Sequence, residues 1–288
     1  MASSIGYQAL PHQRSFHVSE APTKGIFGGN GSGKTFALAH EALKLARVNV
    51  GCGVLFVEPT YRMAQDIAVP MLRRVLTENG IAFVYTKSEH RFDLPSLGGS
   101  WVWVRSADNP AMLEGLTVGA VILDEAPLYH DGPAIFAATS ARLRDTDARH
   151  LEMAVGGTFD GWDWTASIFD ERETPIPGDF DYFVGRTGDN TYNPPAYLDR
   201  LVSNLPTEAH RLQRIEGKRV DLFRGVVYVS FSRADHVAPV ELPQGGRLVH
   251  ALDFNVDPAC SIIGIRSGSR FLVADEIRIE GGATTYDV

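Results

Sequence analysis

Between Gly25 and Trp164, short continuous apolar runs alternate with stretches whose apolar residues recur at helical spacing. The runs Gly25-Ile26-Phe27, Val54–Val57, Ala82–Tyr85, Trp101–Val104, Ala120–Leu123 and Leu151–Val155 read as strands, several of them of the fully buried kind that shows no polar alternation. Between the first two, Thr35 to Val48 places Leu38, Ala42, Leu45 and Ala46 on one helical face. Glu58-Pro59-Thr60 closes the second run. Pro59 stops a strand, and Thr60 is a ready N-cap for a helix continuing to Leu76. A further helix is expected from near Pro133, carrying Arg142 and Arg144. This alternation specifies an α/β fold, a mostly parallel sheet flanked by helices.

After Trp164 the pattern changes. Thr174-Pro175-Ile176-Pro177-Gly178 reads as a loop, and Asn193-Pro194-Pro195 interrupts the chain again. Tyr197 to Lys218 reads as two short helices around Leu205-Pro206-Thr207, followed by a strand-like Val226–Phe231 and a connector from Pro239 to Gly246. Leu248 to Ile279 reads as three consecutive strands with turns at Val256-Asp257-Pro258 and Ser267-Gly268.

At 288 residues, 44% of them apolar, the chain suits one large or two modest domains with a sizeable core. A net charge of -8 argues against a protein that coats nucleic acid over its whole surface, yet leaves room for a local basic face. One run fits that description: Arg200, Arg211, Arg214, Lys218, Arg219 and Arg224 outnumber the acids around them. A solvated helix face explains it more simply than a DNA contact does. Cys52 and Cys260 form no C-x-x-C pair, and the histidines show no H-E-x-x-H spacing, so no zinc site or disulfide framework is implied and a reducing cytoplasm is expected. No signal peptide is expected, and no apolar run approaches the roughly 18 residues that span a bilayer.

The chemistry begins at Gly28-Gly29-Asn30-Gly31-Ser32-Gly33-Lys34-Thr35, a full G-x-x-x-x-G-K-[ST] phosphate loop between a strand and a helix. A bare glycine-rich turn would need neither the Lys-Thr pair nor that flanking pattern. Glycines let successive amides converge on phosphate oxygens at the positive helix end. Lys34 would reach the β- and γ-phosphates, and the Thr35 hydroxyl would hold Mg2+. The strand Ala120–Leu123 then delivers Asp124 and Glu125 at its carboxyl end, where ligands of open α/β sheets bind. Asp124 is expected beside Mg2+ and Glu125 free to orient and deprotonate the attacking water, the pattern of RecA/ASCE-like phosphate-loop NTPases. An acidic surface pair after a strand is the plainer alternative. Gln13, with Phe16 nearby, is a candidate reader of the adenine edge with an aromatic stacked on the ring. Arg142 and Arg144 are candidates to stabilise the departing phosphate, in a ring from the neighbouring subunit, although a salt bridge would account for either. Thr158, after Gly156-Gly157, is a candidate γ-phosphate sensor, with an ordinary turn as the alternative.

These residues resemble the large terminase subunit of tailed bacteriophages. The resemblance rests on the phosphate loop, Pro59-Thr60-Tyr61, Ser106-Ala107-Asp108 with Leu113-Glu114-Gly115, Val121 to Ala126, and Gly157-Thr158. It continues at Gly225-Val226-Val227-Tyr228, Phe231, His236-Val237 and Ala251-Leu252-Asp253-Phe254. Two positions depart from it: Asn30 and Glu114 stand where many relatives carry arginine, which favours Arg142 and Arg144 as the arginines of the site. The resemblance implies an ATP-driven motor that moves double-stranded viral DNA into a procapsid. It implies as partners the portal protein, the small terminase subunit and further copies in a ring, in the host cytoplasm and without a membrane. A helicase-like DNA-dependent ATPase and a nucleotide-gated, non-catalytic assembly protein are the alternatives. The expected organisation is an ATPase core over residues 1–178, a lid or linker over 179–245, and the N-terminal part of an RNase H-like nuclease domain over 246–288.

That last domain is implied to use carboxylates around two Mg2+ or Mn2+ ions. Val249, Ala251 and Asp253 share one strand face, which is expected to place Asp253 among small apolar neighbours, where a cation would compensate its charge. Asp257 lies about 13 Å further along extended chain. It joins a site with ions about 4 Å apart only if the chain bends. Glu276 is a further candidate. Because 35 residues follow Asp253, the nuclease domain is expected to be incomplete, with a working ATP site and no nuclease activity.

Overall fold

Nearly every anticipated apolar run is a strand in a computed structural model of the protein, which describes residues 7–170, 179–220, 222, 236–238, 246–253, 259–268 and 270–279. The chain separates into two compact units, Met1–Arg224 and Gly225–Val288. In the first, α1 (Pro11–Val18) precedes β1 (Thr23–Gly28), α2 (Lys34–Val48) and β2 (Gly53–Glu58). Next come α3 (Tyr61–Met63), a π-helical turn (Ala64–Ala68) and α4 (Val69–Glu78), which together form the helix expected after Thr60. The Thr60 hydroxyl caps it, accepting from the Met63 amide at 3.2 Å. The unit continues with β3 (Val84–Thr86), β4 (Arg91–Leu94), β5 (Ser100–Ser106), β6 (Ala120–Leu123) and α5 (Gly132–Ser140). It ends with β7 (Glu152–Gly157), α6 (Thr165–Phe169), β8 (Phe180–Gly185), α7 (Tyr197–Asn204) and α8 (Glu208–Arg214).

These strands form one eight-stranded sheet in the order β3-β4-β5-β2-β6-β7-β1-β8. From β5 to β8 all neighbours are parallel, and β3 and β4 add an antiparallel edge. The strand β7 lies between the phosphate-loop strand β1 and the acidic strand β6. Alternate residues of each central strand feed two apolar layers. Ile26, Val54, Phe56, Ala120 and Ile122 pack under α2 and α4. Phe27, Leu55, Val57, Val121 and Leu123 pack with Tyr129, Ile135 and Phe159 on the other face. Both layers hold the carboxyl ends of β1, β2, β6 and β7 rigidly along one edge. Among the described residues no helix is long and apolar enough to cross a membrane.

In the second unit, β9 (Arg247–Asp253), β10 (Ala259–Ser267) and β11 (Arg270–Ile279) form an antiparallel sheet in the order β11-β10-β9. The three strands match the sequence expectation. The strand-like stretch 226–231 and the turn 256–258 lie outside the described residues.

Candidate functional site

The strand β1 ends at Gly28 and α2 begins at Lys34, so residues 29–33 cross the carboxyl edge of the sheet. Gly33, the N-cap of α2, sits in the left-handed region at φ 88°. That region favours glycine. Gly29 has a steric reason instead: a Cβ there would lie 2.4 Å from the Ile215 carbonyl oxygen. The segment after β8 braces the loop from outside. The Asn30 amide donates to the Arg214 carbonyl at 2.7 Å, Thr187 Oγ1 to the Asn30 carbonyl at 2.8 Å, and Asn190 Nδ2 to the Gly31 carbonyl at 2.7 Å. Ser32 Oγ is buried with no hydrogen-bond partner among the described residues. Lys34 is also buried, its Nζ donating to the carbonyls of Gly28 (3.1 Å) and Gly29 (3.0 Å). Burial lowers its pKa, the carboxylates of Glu125 and Asp124 oppose that, and the nearby charge of Arg214 adds to it.

The phosphate loop and the acid pair meet. Thr35, at the start of α2, neighbours the carboxylate of Asp124. Asp124 is fully buried at the end of β6, and its Oδ1 accepts from the Glu125 amide at 2.9 Å. Its Oδ2 has no hydrogen-bond partner among the described residues. Burial first, then the Glu125 charge, push its pKa up, with the neighbouring Thr35 hydroxyl pulling the other way. Glu125 adopts φ 45° and ψ 38°, a left-handed conformation costly for a residue with a side chain and concentrated at functional sites. Its Oε2 accepts from the Thr158 amide at 3.4 Å, while Thr158 Oγ1 donates to the Gly28 carbonyl at 3.0 Å. Thr158 thus links the end of β1 to Glu125.

A third carboxylate joins them. Glu58, the last residue of β2, is fully buried, and neither of its carboxylate oxygens has a hydrogen-bond partner among the described residues. Burial, with the charges of Asp124 and Glu125, drives its pKa far above the usual carboxylate range. The sequence shows Glu58 only as a strand end before Pro59.

Oxygen donors alone around Asp124 and Thr35 suit a hard cation such as Mg2+, and the unpartnered Asp124 Oδ2 offers it a ligand position. Among the described residues no three His, Cys, Asp or Glu side chains converge as the direct ligands of one metal.

Beside the loop lies a cleft of about 390 Å³ lined by Tyr7, Gln13, Gly33, Phe36, Asn190 and Tyr192, among others. Gln13 is held there, its Nε2 donating to the Gly33 carbonyl at 2.8 Å and its Oε1 accepting from the Leu10 amide at 2.9 Å. The structure corrects the aromatic partner. Phe16 is fully buried in the core under α2, because α1 turns that face inward, and Tyr7, Phe36 and Tyr192 line the cleft instead.

The element expected to carry the two arginines needs correction. The helix α5 ends at Ser140, so Arg142 and Arg144 lie beyond it. Leu143 between them bridges to Val118, which precedes the amino end of β6, and Arg144 Nε donates to Thr117 Oγ1 at 3.3 Å. Both therefore stand at the end of β6 opposite Asp124. Arg214, half-buried at the end of α8, is the arginine whose charge reaches Lys34. It belongs to the basic run that composition suggested was a solvated face. Arg219 of that run is instead tied into the fold, pairing with Asp170 at 2.7 Å and Asp163 at 3.3 Å and stacking on Phe159.

In the second unit, Asp253 is exposed, as are most residues of β9, an edge strand. The expected enclosure among small apolar neighbours is therefore absent. Asp253 pairs with Cys260 and Glu276 with Ile262, so both carboxylates project from one face of the sheet. Asp257 lies outside the described residues.

No protein-family model matches the sequence, nor does any curated protein. Solved structures do. The large terminase of a thermophilic bacteriophage matches with a TM-score of 0.65 and 13% identity, covering 98% of this chain and 72% of its own. That terminase has been solved in complex with ADP and with ATP-gamma-S. The large terminase of bacteriophage HK97 matches with a TM-score of 0.58 and 16% identity, over 93% of this chain and 63% of its own. The ATPase domain of the Thermus phage P74-26 large terminase matches with a TM-score of 0.56 and 23% identity, over 75% of this chain and 96% of its own. Sheet order and loop geometry define an α/β protein of the phosphate-loop class. Within that class the chain has the fold of bacteriophage large terminases. At these identities the fold is what is shared.

Proposed function

We propose that this chain is the ATP-hydrolysing large subunit of a phage DNA-packaging motor. The observation that carries the proposal is Thr158, whose hydroxyl bonds the Gly28 carbonyl and whose amide bonds Glu125, joining the end of the phosphate-loop strand to the acid pair at the carboxyl edge of the sheet. ATP is the substrate, its phosphates held by the loop amides 29–33 and its adenine in the cleft against Gln13, Tyr7 and Tyr192. Thr35 and Asp124 would hold Mg2+, which when bound neutralises charge on the β- and γ-phosphates. Lys34, now bonded to two loop carbonyls, turns to the phosphates and adds its charge to theirs. Arg214, braced against the loop through its own carbonyl, supplies a second cation from within the same subunit. Glu125 orients the attacking water and takes its proton. Thr158, bonded to both Gly28 and Glu125, relays the presence of the γ-phosphate to the sheet.

The motor would act on duplex DNA mainly through phosphate contacts, which makes binding sequence-tolerant and salt-sensitive. Its partners would be the portal protein, the small terminase subunit and further copies in a ring, in the host cytoplasm. Asp253 and Glu276 on one sheet face support a nuclease-type role, with Mg2+ or Mn2+, for the second unit. The test is Mg2+-dependent ATP hydrolysis by the 288-residue chain with and without linear duplex DNA. Turnover that DNA stimulates, with the stimulation fading as salt rises, is the expected result. A chain that binds ATP but never releases phosphate would overturn the proposal.

A further inference from the structure

Glu58 is a buried carboxylate with no visible occupation. It closes β2 one strand away from Asp124, the β2–β6 register pairing Val57 with Leu123. The backbone around it is fixed from both sides: the Asp124 amide donates to the Val57 carbonyl at 2.9 Å, and the Ala107 amide donates to the Glu58 carbonyl at 2.8 Å. The side chain has no such anchorage. Its solvent exposure is 0%, and both oxygens lack a hydrogen-bond partner among the described residues. Leaving a buried acid unsatisfied costs several kcal/mol by the usual scale for such groups. Placing it near two more carboxylates adds repulsion. Packing does not offset that cost, since an apolar residue would fill the same space more favourably.

The spacing suggests what the acid is for. Side chains on adjacent strands stand about 4.8 Å apart. An oxygen that accepts from a water bound to magnesium lies about 4 Å from the ion, because the metal–water bond and the hydrogen bond meet at an angle. Glu58 and Asp124 are therefore close enough for one carboxylate to bind the ion and the other to accept from its waters. We propose that Glu58 is a positioning residue that accepts hydrogen bonds from water ligands of the magnesium ion held at Thr35 and Asp124. The inference rests on the reading of that site as a Mg2+–nucleotide site. The carboxylate would restrict which of the ion's faces carry water and so help set where the phosphates and the attacking water lie.

The experiment uses the full chain and needs no turnover. Melting temperature is followed with saturating ADP while MgCl2 is titrated from an EDTA-treated start, in wild type, E58Q and E58D. ADP without metal should stabilise all three alike. In E58Q the MgCl2 concentration giving half of the further stabilisation should rise about tenfold, as for other residues that orient metal ligands through hydrogen bonds. E58D, which keeps the charge but shortens its reach, should fall between. An E58Q half-point equal to that of wild type overturns the inference, even if its metal-free melting temperature changes. If E58Q does not fold, a wild-type half-point in E58D overturns it equally. A wild-type chain that shows no magnesium-dependent step removes the reading beneath it, and the inference with it.

Discussion

Glu125 shows at the scale of one residue how this fold places a reactive group. Its left-handed backbone lifts the carboxylate out of the β6 line, and the Thr158 amide tethers it at 3.4 Å. Such strain persists only where surrounding structure over-determines it. The choice of arginine belongs to this scale too. Sequence order favoured Arg142 and Arg144, because they follow the acid pair closely and nothing in a linear string reveals that Leu143 bridges to the far end of β6. Arg214 lies far from the motif in sequence and becomes its neighbour only through the segment 185–215. R214A should therefore lower the kcat for ATP hydrolysis about 100-fold, the scale of losing one charge-stabilising donor. R142A should leave it near wild type. Steady-state kinetics of the three proteins separates the assignments, and the reverse ranking would restore the sequence-based choice. Glu58 was equally illegible, since its meaning depends on which strand lies beside β2.

At the scale of elements, the buried runs and the helical stretch after Lys34 were legible because burial on both faces leaves an unbroken apolar signature. The weaker signals were missed. In β4, Arg91-Phe92-Asp93-Leu94 is too short to outweigh its polar half. In β8, Phe180–Gly185 follows the proline-containing stretch 174–178 of the sequence and is held as a strand by its pairing with β1. The same limit hid a charge network behind β1. Lys24, Glu41 and Glu152 are all fully buried, with Lys24 at 2.8 Å from Glu41 and 3.1 Å from Glu152, while His17 and Lys44 also bond Glu41. Burial raises the Glu41 pKa, but the His17 hydrogen bond and the charges of Lys24 and Lys44 outweigh it and hold it at about 2. A carboxyl depressed on folding contributes stability that is present above its ordinary value and is lost as pH falls through the folded one. The stability advantage of wild type over E41Q should therefore shrink by about 3 kcal/mol as pH drops from 5 toward 2. Denaturant unfolding across that range measures it. An advantage that stays constant would show that Glu41 is not held ionised by this network.

At the scale of the whole molecule, the phosphate loop, Asp124, Glu125 and Thr158, all singled out in the sequence, lie along one edge of one sheet, and Gln13 reaches the loop from α1. The second unit was readable as three strands, but the enclosure expected for Asp253 was not realised on an exposed edge strand. The brace that ties Gly29 to Gly185, and Asn30 and Gly31 to Thr187, Asn190 and Arg214, connects the phosphate loop to the segment after β8. In the proposed motor, that connection would be the route by which loading and release of phosphate moves the molecule against DNA. All of it depends on Glu125 acting on a water beside a bound triphosphate. The most direct test compares wild type with E125Q for ATP affinity and for phosphate release under single-turnover conditions. The account predicts unchanged binding and a rate at least about 100-fold lower, the usual contribution of a positioned general base. An E125Q chain that hydrolyses ATP at the wild-type rate would contradict it.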